Sequence, residues 1–241
     1  MCTVSFVASG NRYYLTSNRD EHRARPAALV PKEEWINNCK VVYPKDPKAG
    51  GTWFAVNENG DVAVLLNGAF QKHIVKGNYE KSRGLVLLDI ISSPQPLSKL
   101  HEIDVSCIEP FTVILFGGGE LVEFRWDGIQ KHFKSLPLSK NHIWSSATLY
   151  SSEAMAHRED LFHLFQQKKQ TIKGEDILEF HATNHEDYEN GFVIDRSTGL
   201  KTFSVTQAIV GSDAIKLHHV DLLNATKHSL SLRPKVTLIT P

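Results

Sequence analysis

Short apolar or alternating runs, separated by turn residues, recur along the chain and predict antiparallel hairpins. Residues 3–8 and 13–17 flank Ser9-Gly10-Asn11-Arg12. Residues 52–56 and 62–66 flank Asn57-Glu58-Asn59-Gly60-Asp61, whose Asn-Gly step readily takes positive φ. Residues 111–116 and 121–125 flank three glycines, and residues 192–195 and 201–205 flank Arg196-Ser197-Thr198-Gly199. Residues 215–222 and 236–239 predict further strands at sheet edges. Helical pattern covers residues 83–92, apolar almost all round, and residues 172–181. A third helix is predicted over 152–167, with Ala154, Arg158, Leu161, Phe162 and Phe165 on one side and Ser151 or Ser152 as N-cap. Residues 26–48, with four prolines and little periodicity, predict a long loop. Hairpins at both ends with helices between them predict an α+β layered fold, in a single domain over 1–241.

Charge narrows the classes of function. The 27 Lys+Arg balance 27 Asp+Glu, which argues against a nucleic-acid partner or an anionic membrane surface. The longest apolar run, residues 84–91, is broken by Asp89 and is too short to span a bilayer, so no transmembrane segment is expected. Cys2, Cys39 and Cys107 have no metal-ligand spacing and are odd in number. A reducing, cytoplasmic location without metal or cofactor is the expectation.

Position 2 carries the most chemical information. Removal of the initiator Met before a small residue would leave Cys2 with a thiol and a free α-amine. An α-amine with a pKa of about 7.7 to 8.0 can take the thiol proton near neutral pH, so nucleophile and base share one residue. Ser17-Asn18-Arg19-Asp20-Glu21 closes the strand expected to pair with the N-terminal one. Strand alternation puts Asn18 and Asp20 on one face and Arg19 on the other. The strand end is expected to relax that parity and let both charges approach one cleft. Arg19 would lower the thiol pKa and Asp20 would orient the amine. Asn67 ends the strand 62–66 before Gly68, so its amide or N–H can face a cleft, although Asn-Gly is equally a turn. Trp53 and Phe54 serve as core or as cleft wall.

Met1-Cys2-Thr3, the Ser17–Glu21 run, Gly50-Gly51-Thr52-Trp53-Phe54 and Asn67 together resemble the NRDE-motif family, transport and Golgi organisation 2. Ile143-Trp144-Ser145-Ser146-Ala147-Thr148-Leu149-Tyr150 and Asn190-Gly191-Phe192 look like its later signatures. The chain is more distantly similar to cysteine N-terminal nucleophile hydrolases. That similarity implies a four-layer αββα sandwich, with Cys2 as nucleophile, Arg19 and Asp20 as its polar partners, and Asn67 at an oxyanion-hole position. Ser145 or Ser146 stands nearest the second oxyanion donor, and Asn18 and Trp53 complete the expected substrate-binding side. Here Arg19 and Asp20 are adjacent, whereas the hydrolases separate theirs. The implied function is hydrolysis of an amide or thioester in a small acylated metabolite. The alternative is carriage of a hydrophobic ligand, an acyl chain or haem, without turnover.

Other candidates have simpler explanations. His181 and His185 have the i, i+4 spacing of a helical metal pair but no third ligand nearby. His218 and His219 are adjacent in a strand and face opposite sides. Gly117 to Gly119 lack a following Lys-Ser and predict a hairpin turn rather than a phosphate cradle. Cys39, in the expected loop, and Cys107 have no activating neighbour.

Overall fold

The computed structural model describes residues 3–233. The expected strand at 236–239 and the nucleophile candidate Cys2 lie outside them. Two antiparallel sheets carry the fold. Sheet A contains β1 (Thr3–Ser9), β2 (Arg12–His22), β10 (His142–Ser145), β11 (Leu200–Gly211), β12 (Ile215–Asp221) and β13 (Thr226–Leu232), in the order β10-β1-β2-β11-β12-β13. Sheet B runs in sequence order through β3 (Leu29–Ile36), β4 (Cys39–Lys45), β5 (Phe54–Asn57), β6 (Val62–Asn67), β7 (Phe111–Gly117), β8 (Glu120–Trp126) and β9 (Lys131–Leu136). Helices α1 (Arg83–Ile91) and α2 (Pro96–Glu102) pack on β5, β6 and β7, while α3 (Ser152–Gln167) and α4 (Gly174–His181) pack on sheet A. The layers are helix, sheet, sheet, helix: an αββα sandwich.

Each interface is apolar for a local reason. Between the sheets, Phe6 and Tyr13 of sheet A meet Phe116 of sheet B with ring centroids 5.9 and 4.8 Å apart. On the other face of sheet A, Val7 and Tyr14 pack with Phe162, Ile177, Phe180 and Phe192 under α3 and α4. Odd residues of β1 and even residues of β2 therefore face the helices, as strand alternation requires. Helix α3 starts at Ser151, whose side chain accepts from the Ala154 N–H, and Ser82 caps α1 through Leu85 in the same way.

Three expectations are corrected. Residues 26–48 are not one long loop, because β3 and β4 form a hairpin across Asn37 and Asn38, both with positive φ (50° and 61°). Pro31 sits on the edge strand where the register is irregular, and Pro44 lies beyond the two residues by which β4 pairs with β5. Neither position demands a ladder N–H. Cys39 is consequently a buried core residue of β4. Residues 192–195 form no strand beyond an isolated bridge from Asp195 to Lys201. Their neighbouring carbonyls are taken by side chains instead: those of Asn190 and Gly191 by Arg158, and that of Phe192 by Asn18. The strand at 215–222 is present as β12 but lies inside sheet A, between β11 and β13.

Candidate active site

The register of sheet A gathers the motif residues at one end of β1. Thr3 stands opposite Asn18 of β2 on one side and Ser145 of β10 on the other. Arg19 and Asp20 follow directly along β2, and both are buried. The expected relaxation of parity does not occur. Strand β2 stays paired with β11 as far as His22, the bulge between Thr202 and Ser204 falling on β11, and Arg19 points between the sheets while Asp20 points toward the helices.

On the inter-sheet face, Arg19 lies with its guanidinium carbon 4.7 Å from the centre of the Trp53 ring. Its Nη2 donates to Asp46 Oδ2 at 2.6 Å, while Nε and Nη1 have no hydrogen-bond partner among the described residues. Burial pulls this guanidinium below its ordinary pKa, with Asp46 and Glu21 opposing. Asp46 also accepts from Arg25 Nε at 2.8 Å and from the Lys48 and Ala49 N–H groups. Burial disfavours the Asp46 charge, but these donors and Arg19 outweigh it and hold the carboxyl below the usual range. Gly51 packs against Gly84 at the start of α1, where a Cβ on Gly51 would overlap backbone. Here Arg19, Glu21, Arg25, Asp46, Trp53 and Arg83 line a cleft of about 440 Å³, counting the part open to solvent.

On the helix face, Asp20 accepts from Tyr150 Oη at 2.7 Å and from Thr202 Oγ1 at 2.6 Å. Burial and the Asp20 charge push the Tyr150 phenol well above its ordinary pKa, so it remains a donor. The Tyr150 ring lies 3.6 Å from the guanidinium carbon of Arg158, which is fully buried. Arg158 donates to Thr3 Oγ1, to the Asn190 carbonyl at 2.8 Å and to the Gly191 carbonyl. Thr3 at the head of β1 and the carboxylate of Asp20 are thus tied to one stacked Tyr–Arg pair.

The oxyanion candidates meet across the two sheets. Ser146 Oγ donates to the Asn67 carbonyl at 2.9 Å and shares a 3.0 Å hydrogen bond with Thr148. Asn67 Oδ1 is buried and unpartnered among the described residues. Gly68 takes φ 79°, so Asn67-Gly68 is a turn as well as a site candidate. Ser145 pairs with Thr3 in the ladder, and Trp53 is both buried and a wall of the cleft. Asn18 is engaged within the fold. Its amide donates to the His181 and Phe192 carbonyls at 2.8 and 2.9 Å, and its oxygen lies 2.5 Å from His181 Nδ1.

That geometry fixes the His181 tautomer. The Asn18 oxygen can only accept, so Nδ1 carries the proton and Nε2 accepts from Ser5 Oγ at 2.7 Å. Burial drives the His181 pKa down to about 3, and the imidazole is neutral. No group of three or more His, Cys, Asp or Glu among the described residues could hold a metal ion. His219 bonds to Thr206 while His218 bonds to Ser229, on opposite faces. Gly118 and Gly119 turn a hairpin with φ of 61° and 79°. The sequence reading missed Asp46, Tyr150, Arg158 and Thr202 as site members. Arg158 left a signal as a charge within the apolar stripe of α3, and Tyr150 as the last residue of the Ile143–Tyr150 run.

Comparison with known proteins agrees with this fold. Solved structures share the fold: the Caenorhabditis elegans ortholog of N-acylethanolamine-hydrolyzing acid amidase superposes with a TM-score of 0.61 at 8% identity, over 86% of this chain and 92% of that one. A mutant of the conjugated bile acid hydrolase from Clostridium perfringens gives 0.53 at 10% identity, over 95% and 92%. Among sequences, the transport and Golgi organization 2 homologs of Mus musculus and Homo sapiens are each 35% identical over 77 residues. That stretch is 28% of this chain and 27% of theirs. The family model for transport and Golgi organisation 2 matches residues 1–207, and the chain belongs to that family.

Proposed function

We propose that the chain is an N-terminal nucleophile hydrolase that cleaves an amide or thioester of a small acylated metabolite through Cys2. The observation that carries this reading is the pair of consecutive buried charges, Arg19 and Asp20, one step past the Thr3–Asn18 pair. Thr3, the first described residue of β1, stands opposite Asn18, the residue directly before Arg19. Burying a guanidinium and a carboxylate requires partners, supplied here by Asp46 for Arg19 and by Tyr150 and Thr202 for Asp20, and such held, buried charges cluster at functional sites.

With Met1 removed, the α-amine of Cys2 takes the thiol proton, and the sulfur attacks the substrate carbonyl carbon. Asn67 and the Ser145–Ser146 segment are the oxyanion donors. As the tetrahedral intermediate collapses, the α-ammonium protonates the departing amine or thiol, leaving an acyl thioester on Cys2. The amine then deprotonates a water, which attacks the thioester and releases a carboxylic acid and the regenerated thiol. From the inter-sheet face Arg19 stabilises the thiolate, and from the helix face Asp20, held by Tyr150 and Thr202, orients the amine. No helix among the described residues is long and apolar enough to cross a membrane.

A panel of acyl amides and thioesters should be tested on wild type and Cys2→Ala together. Loss of turnover in a folded Cys2→Ala protein supports the proposal. Unchanged turnover refutes it. Failure of every substrate to turn over, with tight binding of an acyl chain or haem, makes the protein a carrier.

A further inference from the structure

We infer that the cleft beside Arg19 binds the anionic group of its small-molecule ligand, a carboxylate or a phosphate. Two buried side chains lining the cleft hold N–H groups with no partner among the described residues: Arg19 through Nε and Nη1, and Trp53 through Nε1. Both side chains are 1% exposed or less. All three groups are donors and none can accept. Buried donors left unmade are rare in native proteins, and a donor-only set calls for an oxygen acceptor.

The opposite wall supplies more positive potential. Ser82, Arg83 and Gly84 bring the first turn of α1 to the cleft, and that turn contains no acidic residue. The Ser82 side chain satisfies only the Leu85 N–H, so the positive end of the helix still faces the space. Arg83, which also pairs with Glu109 at 3.0 Å and donates to the Pro110 carbonyl, and the part-exposed Arg25 complete the wall. Two acids also line the cleft, but neither fills it. Asp46 is saturated by Arg19, Arg25 and the N–H groups of Lys48 and Ala49, and Glu21 lies 3.5 Å from Arg25. The inference rests on the hydrolase proposal only in making this anion the handle of the acyl substrate; the binding site stands without it.

The indole N–H of Trp53 is a reporter already in place. In ¹⁵N-labelled Cys2→Ala protein, acetate, inorganic phosphate and neutral acetamide would each be titrated while indole signals are followed. Trp126, which donates to the Ile108 carbonyl, and Trp144, which donates to Glu123, are internal controls for folding and for non-specific salt effects. We expect a saturable shift of the Trp53 signal with acetate, phosphate or both, and none with acetamide. A response to acetate alone assigns a carboxylate handle, and a response to phosphate alone assigns a phosphate. Arg25→Met and Arg83→Met should each weaken the response by about tenfold or more. If Arg83→Met disturbs the control signals, Arg25→Met decides. A Trp53 signal unmoved by both anions, or moved equally by acetamide, overturns the inference. Binding without turnover would count against the hydrolase alone, and turnover in wild type without any Trp53 shift against the anion site alone.

Discussion

Two buried histidines should make the fold lose stability in mild acid, well before its carboxylates titrate. His181 is sealed between Ser5 and Asn18, and burial lowers its pKa from 6.5 to about 3. His219 is hydrogen-bonded to Thr206 and lowered by burial to about 4. Both are neutral when folded and take up protons when unfolded, so the unfolded state binds more protons between those values and 6.5. Stability therefore falls as pH drops through this window and levels off below the folded pKa values. Between pH ~7.5 and pH ~5 each histidine gives up about 1.5 pK units, or ~2 kcal/mol, so the pair contributes a loss of ~4 kcal/mol. Urea denaturation at the two pH values, on wild type, His181→Gln and His219→Gln, measures this directly. Each substitution lowers stability at neutral pH but should remove about half of the pH-dependent loss. If both variants keep the wild-type pH dependence, the two imidazoles are not buried and neutral as the structure has them.

Other substitutions test the supports of the site. Arg158→Met leaves Thr3 Oγ1 and the Asn190 and Gly191 carbonyls without their donor, and should cost about 3 kcal/mol or more in chemical denaturation. A loss below about 1 kcal/mol would mean that water replaces Arg158 freely. Gly51→Ala forces a Cβ into the backbone of Gly84, and should lower the thermal midpoint far more than Gly10→Ala, where the added Cβ meets open space and the cost is the positive φ of 58° alone. Ser146→Ala removes one hydrogen bond to the Asn67 carbonyl, costing about 1 kcal/mol of stability. In the proposed hydrolase it should also lower kcat about tenfold with KM little changed, through a loosened oxyanion donor.

The hairpins were legible because their turns are chemically explicit. Gly60 in the Asn59-Gly60 step and Gly118 and Gly119 in the glycine run supply the positive φ their turns require. The β3–β4 hairpin was hidden by Pro31 and by Lys32, Glu33 and Glu34, which suit an exposed edge strand but dilute its apolar pattern. Its real signal was Asn37-Asn38, a pair well suited to a two-residue turn. Residues 192–195 were misread as a strand because local apolar pattern cannot show that distant Arg158 and Asn18 claim the nearby carbonyls. The same limit applies to the site. Cys2, Arg19 and Asp20 stand out within the first 20 residues, but Asp46, Tyr150 and Thr202 reach them only through tertiary packing. Strand alternation alone puts Arg19 and Asp20 on opposite faces of β2, and β2 keeps that alternation although β11 shifts register between Thr202 and Ser204 opposite them.

An activated thiol at Cys2 can be tested without knowing the substrate. Wild-type protein, shown by intact mass to begin at Cys2, would be treated with limiting iodoacetamide at pH ~6 and peptide-mapped over time. At that pH an ordinary thiol with a pKa of about 8.5 is almost wholly protonated and slow. Cys107 is exposed and Cys39 is buried, so accessibility alone would favour labelling of Cys107. A thiol made acidic by the α-ammonium and Arg19 should instead be alkylated first at Cys2, at least about tenfold faster than at Cys107. Labelling of Cys107 ahead of Cys2, or equal rates at the two, would contradict a nucleophile at position 2.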